Sequence, residues 1–268
     1  MDRTLSGKVA VVTGAGHPDG LGAAIVEALL ERGAKAVVAA DLAVTASDAE
    51  RYIGGIAARG LNGGEFMPLD ITALSDHAGF VSAIAAKHGG IDILVNNAGV
   101  GPNTSVATLD EAKFDLIFGV NVKGTLFLSQ AVARQMIAQK RGSIVSIASA
   151  VGLVGIKNHL AYSMAKHAIA GMTKCLALEL VGDGIRVNAI APARIRTRWV
   201  IARAQEAALA SEGAKTVDDV LREMSATQAS GKMLEPAEVA AFVAYLASDD
   251  ARGFNGAVLS MDDCWTAA

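Results

Sequence analysis

Tyr162 and Lys166 stand four positions apart. On a helix, side chains at that spacing share a face. A free tyrosine has a pKa of ~10 and is a poor base at neutral pH. A lysine ammonium a few Å away favours the phenolate, so such a pair is suited to moving a proton. Alone the spacing says little, because most Tyr-x-x-x-Lys pairs are solvated helix faces. Other positions give the pair company. Ser149 closes an apolar run ahead of Tyr162, Asn121 sits inside the helical stretch 114–132, and Asn96-Asn97-Ala98-Gly99 closes another apolar run.

A second group suits a dinucleotide. Thr13-Gly14-Ala15-Gly16-His17-Pro18-Asp19-Gly20-Leu21-Gly22 lies between an apolar run and a helical pattern. Turn glycines let the backbone approach a pyrophosphate, and the helix N-terminus supplies free N–H groups and a positive dipole end. The next apolar run ends in Asp41. An acid there accepts bonds from ribose hydroxyls and repels a 2′-phosphate. Two charges ~4 Å apart at an effective dielectric near 20 interact by roughly 4 kcal/mol before screening. No Arg or Lys stands beside Asp41 or in the glycine loop. The cofactor expected is therefore NAD, not NADP.

These residues need a scaffold, and the chain supplies a repeating one. Apolar runs rich in Val and Ile occupy 8–13, 36–41, 65–70, 92–97, 143–149, 185–190 and 257–261. Most are continuously apolar, as in strands covered by helices on both faces. Helical patterns fill the gaps; 21–32, for example, is stopped by Gly33. The predicted fold is α/β, a Rossmann-like doubly wound seven-stranded parallel sheet with helices on both faces. No linker interrupts the alternation, so residues 1–268 read as one dinucleotide-binding domain. Residues 198–232 break the rhythm with a helical composition. They read either as an insertion covering the ligand crevice or as a surface excursion.

Taken in order, these motifs resemble the short-chain dehydrogenase/reductase family over nearly the whole chain. The resemblance implies a catalytic tetrad of Asn121, Ser149, Tyr162 and Lys166. Tyr162 would be the acid/base, Ser149 would hold the substrate oxygen, Lys166 would also bind the nicotinamide ribose, and Asn121 would hold a water linking Lys166 to solvent. Cofactor contacts are implied for Gly14, Gly20, Leu21, Gly22, Asp41, Asp70, Ile71, Asn96, Tyr162, Lys166, Ile195 and Thr197. The implied activity is NAD-dependent hydride transfer between a secondary alcohol and a ketone, or a hemiacetal and a lactone. A homotetramer is expected as well, because 114–132 and 162–180 carry more apolar residues than one sheet face can cover and such helices pair between subunits in the family.

Departures from the family pattern are informative. Five residues separate Gly14 from Gly20 where the family has three, which reads as a two-residue insertion shaped by Pro18 and Asp19. Asp19 should point outward or cap the helix, since a carboxylate near phosphates is repelled. Ala193 replaces a usual glycine and must avoid positive φ. Arg194, Arg196 and Arg198 alternate, and in an extended segment they would project on one side. They read as anchors for an anionic substrate or as surface ion-pair and packing residues. Substrate contacts are expected from Ser149, His159, Arg194, Arg196 and Trp199. The loop 151–160 is polar at Lys157, Asn158 and His159, which suits a sugar, polyol or hydroxy acid. The last run ends in Met261-Asp262-Asp263-Cys264-Trp265, where the family often has Val-Asp-Gly-Gly; Trp265 is a candidate subunit contact.

Composition removes other classes. The chain has 268 residues, 52% of them hydrophobic, and a net charge of −3. No long basic run is present, so neither nucleic-acid nor membrane-surface binding is expected. No run of about eighteen apolar residues is evident, and residues 1–8 hold no apolar leader core. Cys175 and Cys264 have no metal or disulfide spacing and read as buried or idle thiols of a cytoplasmic protein; no metal site is expected. The competing readings on the same scaffold are an NAD-dependent epimerase or dehydratase and a non-catalytic NAD-binding regulator.

Overall fold

The computed structural model describes residues 4–42 and 45–267. Seven strands form one parallel sheet: β1 Val9–Thr13, β2 Ala36–Asp41, β3 Gly64–Pro68, β4 Ile93–Asn96, β5 Gly142–Ile147, β6 Ile185–Pro192 and β7 Val258–Met261. Their order across the sheet is β3-β2-β1-β4-β5-β6-β7. The side-chain period of two explains the continuous apolar runs. Ala10 and Val12 enter the apolar layer on one face, whereas Val9 and Val11 enter the layer on the other. Both faces are covered, so both sets must be apolar.

One face carries α1 (Leu21–Glu31) and α9 (Pro236–Ala247), through Ile25, Leu29, Val239 and Val243. The other carries α3 (His77–His88), α5 (Thr125–Gln139) and α6 (Leu160–Leu180), through Ile84, Leu128, Met136 and Leu180. α2 (Ala46–Ala58) contacts β3. Helix α1 stops where expected: Gly33 has φ +85°, and Ala34 N–H reaches Leu29 C=O at 3.1 Å, closing the C-terminal turn.

The stretch 114–132 is part of a longer and less regular element. α4 (Glu111–Phe118) runs through a π-helical turn, Gly119–Gly124, into α5. The combined span Glu111–Gln139 is long and apolar enough to cross a membrane by length and composition, which corrects the expectation that no such stretch exists. In the fold it lies against the sheet, with Leu128, Val132 and Met136 fully buried.

Residues 198–232 form α7 (Arg198–Ala210) and α8 (Val217–Ser225), packed on one another. Ala193 avoids positive φ as required, but Asp263 and Cys264 do not, at φ +50° and +64°. They keep the left-handed turn of the missing glycines at a conformational cost of roughly 1 kcal/mol each. The turn has a use: Ser230 N–H donates to the Asp263 carboxylate at 2.7 Å, and Ala229 N–H to the Asp263 carbonyl at 2.9 Å. The end of the 198–232 segment is thereby tied to the C-terminal tail. Both cysteines are free and exposed, not buried.

Candidate active site

The strand order reverses between β1 and β4, and ligands of open α/β sheets bind at such a switch point, beyond the carboxyl ends of the strands. The glycine loop leaves β1 there, and Asn97-Ala98-Gly99 leaves β4 beside it. Thr13 Oγ1 accepts from the backbone N–H groups of Asn97 (3.1 Å) and Ala98 (3.0 Å). Asn97 Nδ2 donates to the carbonyls of Thr13 (2.9 Å) and Gly14 (3.0 Å). This clamp holds the loop closed, and neither Thr13 nor Asn97 was among the expected site residues.

Packing at the loop requires two of its glycines. Gly14 has φ +65°, and a Cβ there would stand 2.7 Å from Ala98 Cα. A Cβ on Gly22 would stand 2.3 Å from the Gly14 carbonyl oxygen. The inserted residues bulge outward: Gly20 N–H closes a turn onto His17 C=O at 3.2 Å, and His17, Pro18 and Asp19 are exposed. Asp19 points outward, and α1 begins at Leu21 behind its N-cap Gly20, with no side-chain cap.

Asp41, at the end of β2, accepts from Gly16 N–H at 3.0 Å, so its carboxylate lies against the glycine loop. Leu69 N–H bonds the Asp41 carbonyl at 3.0 Å, which brings Asp70 to the same rim, two residues past the end of β3. Asp70 accepts from the N–H and hydroxyl of Thr72, at 2.8 and 2.6 Å. Those bonds hold its carboxyl below the usual range. Ile71 is buried, and its carbonyl pairs with His77 Nε2 at 3.0 Å.

Asn96 turns its side chain into the fold. Its Nδ2 donates to the buried hydroxyls of Ser129 (2.9 Å) and Ser146 (3.2 Å). The side chain therefore ties β4 to β5 and α5, and only its backbone remains for a cofactor. Neighbouring residues on a strand face opposite ways, so Asn97, not Asn96, meets the loop.

The tetrad residues come from three elements. Ser149 lies just past β5, where it caps a short turn with its hydroxyl 3.4 Å from Val151 N. Tyr162 and Lys166 stand in the first turns of α6, with Lys166 Nζ 5.5 Å from the Tyr162 ring centroid. Asn121 occupies the π turn, a frequent device at functional sites. It is buried, and its Nδ2 donates to Val100 C=O (2.8 Å) and Ile117 C=O (2.9 Å). Its Oδ1 is buried without a hydrogen-bond partner among the described residues. A Cβ at Gly99 would stand 2.7 Å from that oxygen and 3.7 Å from Lys166 Nζ, which places the two groups side by side.

Burial moves the pair toward neutrality from opposite sides. Tyr162 is pushed up to about 12 by burial, with Ser149 beside it pulling the other way. Lys166 is pushed down to about 8 by burial, although it donates to Ile147 C=O at 2.7 Å. An ammonium roughly 5 Å from a phenolate, at an effective dielectric near 20, stabilises it by about 3 kcal/mol. That equals about two pKa units, the size of the shift burial imposes on Tyr162. Charged Lys166 thus offsets what burial costs the phenolate, and taking Tyr162 below its free value requires further positive charge in the site.

The nicotinamide and substrate end departs from expectation. Arg194, Arg196 and Arg198 do not project on one side, because the segment is not extended. Thr197 N–H turns back to Ile195 C=O at 2.8 Å, and α7 begins at Arg198. Arg194 Nε donates to Met224 C=O at 2.7 Å. Arg196 is exposed and lines a cleft with Lys232, Glu235 and Asp263. Arg198 is exposed on α7. Ile195 and Thr197 are half-buried, and Ile195 bridges to Leu234. Trp199 is exposed, with the Arg203 guanidinium 4.4 Å from its ring centroid. Arg203 was not anticipated; the signal was its i,i+4 spacing from Trp199. His159 is half-buried at the start of α6, and burial together with Arg194 and Arg203 keeps its pKa low.

Comparison with known proteins agrees with this geometry. A family model described as enoyl-(acyl carrier protein) reductase matches residues 14–266. The chain is 36% identical to cis-4-hydroxycyclohexanecarboxylate dehydrogenase of Sinomonas cyclohexanicum over the full length of both. It is 35% identical to D-threitol dehydrogenase of Mycolicibacterium smegmatis, covering 99% of this chain and 95% of that one. It is 33% identical to 3-oxoacyl-[acyl-carrier-protein] reductase FabG of Vibrio cholerae, covering 96% and 97%. The crystal structure of gox2181 superposes with a TM-score of 0.89 at 29% identity, covering 100% and 99% of the two chains.

Proposed function

The chain belongs to the short-chain dehydrogenase/reductase family and is an oxidoreductase acting on CH–OH groups; from that premise we propose that it uses NAD to interconvert a polar secondary alcohol and its ketone, or a hemiacetal and its lactone. The observation that carries this reading is the meeting of Ser149, Tyr162, Lys166 and Asn121 beyond the strand ends, beside a glycine cradle that a single Cβ would fill.

The cradle fits a dinucleotide. Gly14, Gly20, Leu21 and Gly22 would hold the pyrophosphate, Asp41 the adenosine ribose, and Asp70 and Ile71 the adenine, with the Asn96 backbone nearby. Tyr162 and Lys166 would meet the nicotinamide ribose, and Ile195 and Thr197 the carboxamide. When bound, NAD supplies the hydride acceptor. Tyr162 takes the hydroxyl proton, Lys166 stabilises the phenolate, and Ser149 holds the substrate oxygen. Asn121 and Lys166 pass the proton outward. On this reading the whole chain is one catalytic domain, and α7 and α8 cover the crevice. His159, Arg194, Arg196 and Trp199 would contact the substrate, Arg196 from the cleft it lines with Lys232, Glu235 and Asp263. Two relatives are named for a polyol and a hydroxy acid, in keeping with a polar substrate. A cytoplasmic location suits an enzyme drawing on the NAD pool.

The test is reduced-nicotinamide absorbance with sugars, polyols and hydroxy acids, using NAD+ and NADP+ in turn. Turnover without net reduction would point to an epimerase or dehydratase, and tight NAD binding without turnover to a regulator. NAD+ should be the better cofactor. Asp41→Ala should lower NAD+ affinity and shrink discrimination against NADP+ by roughly 1–3 kcal/mol. Asp41→Asn keeps an acceptor for Gly16 N–H, so it should shift the preference with less loss of NAD+ affinity. A wild type that uses both cofactors equally would detach Asp41 from cofactor choice.

A homotetramer completes the proposal. Leu126 and Phe127 of α5 and Met164 and Leu178 of α6 are exposed, Leu178 by 79%. Pairing of these helices between subunits would cover them. Light scattering should give four chains per particle at micromolar concentration; a monomer would overturn this.

A further inference from the structure

We propose that Asp263 is a positioning residue for the reaction: its carboxylate ties the segment returning from α8 to the C-terminal tail, and so fixes the turn Arg194–Thr197 at the nicotinamide end of the site. This rests on the oxidoreductase reading and adds to it a residue that acts through backbone rather than by touching the reacting atoms.

The observation is a closed ring of hydrogen bonds. β6 and β7 are joined where they end, with Ala193 N–H donating to Met261 C=O at 3.0 Å. Two residues past Met261 the tail meets the returning segment. Ala229 N–H donates to the Asp263 carbonyl at 2.9 Å, and Ser230 N–H donates to the Asp263 carboxylate at 2.7 Å. Further along, Leu234 N–H donates to Arg194 C=O at 2.9 Å, and Leu234 C=O accepts from Arg196 N–H at 2.8 Å. Arg194 adjoins Ala193, which closes the ring. Arg196, Ser230, Leu234 and Asp263 accordingly line one cleft.

Between its joints the ring is braced. Ser225 Oγ donates to Gly231 C=O at 2.7 Å, and Gln228 Nε2 donates to Lys232 C=O at 2.8 Å. Both side chains are buried. Arg194 Nε holds Met224 C=O at 2.7 Å, so the turn and the end of α8 are also coupled. On the tail side, Asp262 is buried and accepts from Thr266 N–H at 3.0 Å. A shift at Ser230 therefore reaches Leu234 and the turn instead of dying out between them.

Of the links that close the ring, only the Asp263 carboxylate comes from a side chain. Glycine, which relatives often have here, would adopt the φ of +50° without strain and would keep the carbonyl bond to Ala229. It could not make the bond to Ser230. The chain thus holds a left-handed aspartate where glycine is easier, and gains a charge-assisted bond at that point. That bond keeps the Asp263 carboxyl below the usual carboxylate range.

The experiment uses Asp263→Gly and Asp263→Asn in the intact enzyme. Asp263→Gly removes the acceptor and relieves the backbone; Asp263→Asn keeps an acceptor and tolerates the left-handed turn. Four quantities are read: amide hydrogen exchange, kcat with the best alcohol, the NAD+ dissociation constant and the melting temperature. In Asp263→Gly, exchange across 194–197 and 225–234 should quicken about 10-fold, and kcat should fall about 10-fold, because small misplacements at a reacting centre are costly. NAD+ affinity should stay within about threefold, being set mainly by the glycine cradle and Asp41, and the melting temperature within about 3 °C. Asp263→Asn should recover most of kcat and of the protection. A kcat within twofold of wild type in Asp263→Gly would overturn the proposal, as would equal losses in both variants. Lower kcat with unchanged exchange would make Asp263 a direct contact and overturn its positioning role. A large fall in melting temperature together with NAD+ affinity would reduce it to a merely structural bond. If wild type oxidises no alcohol with either cofactor, the oxidoreductase reading fails on its own; exchange then still tests the tie, which quickened exchange at 194–197 supports and unchanged exchange overturns.

Discussion

Tyr162→Phe should lower kcat by roughly 10³-fold or more while the dissociation constant for NAD+ changes by less than about twofold. The substitution removes one oxygen and keeps the ring. The ring is well packed: a Cβ on Gly101 would stand 2.8 Å from Tyr162 Cδ2. The phenylalanine ring therefore stays where it is, and the fold has no reason to move. On the proposed mechanism the phenol exchanges a proton with the substrate oxygen. Ser149 could still hold that oxygen, but an aliphatic hydroxyl gives up a proton far less readily than a phenol does. Steady-state rates with the best alcohol, together with a fluorescence titration of NAD+, measure both quantities. Turnover within tenfold of wild type would remove Tyr162 from the acid/base role.

Gly22→Ala should also cost heavily, through a different route. Inside a helix alanine is ordinarily favoured over glycine by up to ~1 kcal/mol. Here the added methyl would meet the Gly14 carbonyl oxygen at 2.3 Å and Ala15 Cα at 2.7 Å. Both obstacles are backbone, so no side chain can swing away; α1 or the loop must move. Overpacking of this kind costs typically 1–3 kcal/mol of stability. The displaced backbone includes the glycine cradle itself, so NAD+ affinity should fall on the order of 100-fold. Gly20→Ala is the control. Its Cβ would approach His17 C=O at 3.3 Å, and Gly20 already has φ −101°, a conformation alanine adopts freely. Loss of affinity by Gly20→Ala well below that of Gly22→Ala assigns the effect to crowding. Equal losses, or wild-type binding by Gly22→Ala, would reject it.

How much of this was legible depends on whether a feature is local. The seven runs predicted strands to within a few residues; the inner ones were plainest, because a strand buried on both faces must be apolar at nearly every position. Tyr162 and Lys166 could be set on one face from their spacing, since the helix itself fixes it, although only the company of the other motifs singled them out. Asp41 could be placed at a strand end for the same reason. Gly33 marked the end of α1 because only the chain's own conformation was in question.

Features that depend on what packs opposite were not legible. Asn96 and Asn97 are adjacent and chemically identical; the sheet order alone decides which one faces β5 and α5 and which one meets the glycine loop. Asn121 lay in an apparently regular helical pattern, and the π turn that positions it shows only once α4 and α5 pack against the sheet. The three alternating arginines suggested a shared side, an inference valid for extended backbone, but the turn at Ile195–Thr197 and the start of α7 send them three ways. Arg203 carried no signal beyond a neighbouring tryptophan. Backbone periodicity is a property of the chain, so local order and face were determined by the sequence itself. Which face meets which, and therefore where charge accumulates, is a property of the packed layers and was decided only by the tertiary structure.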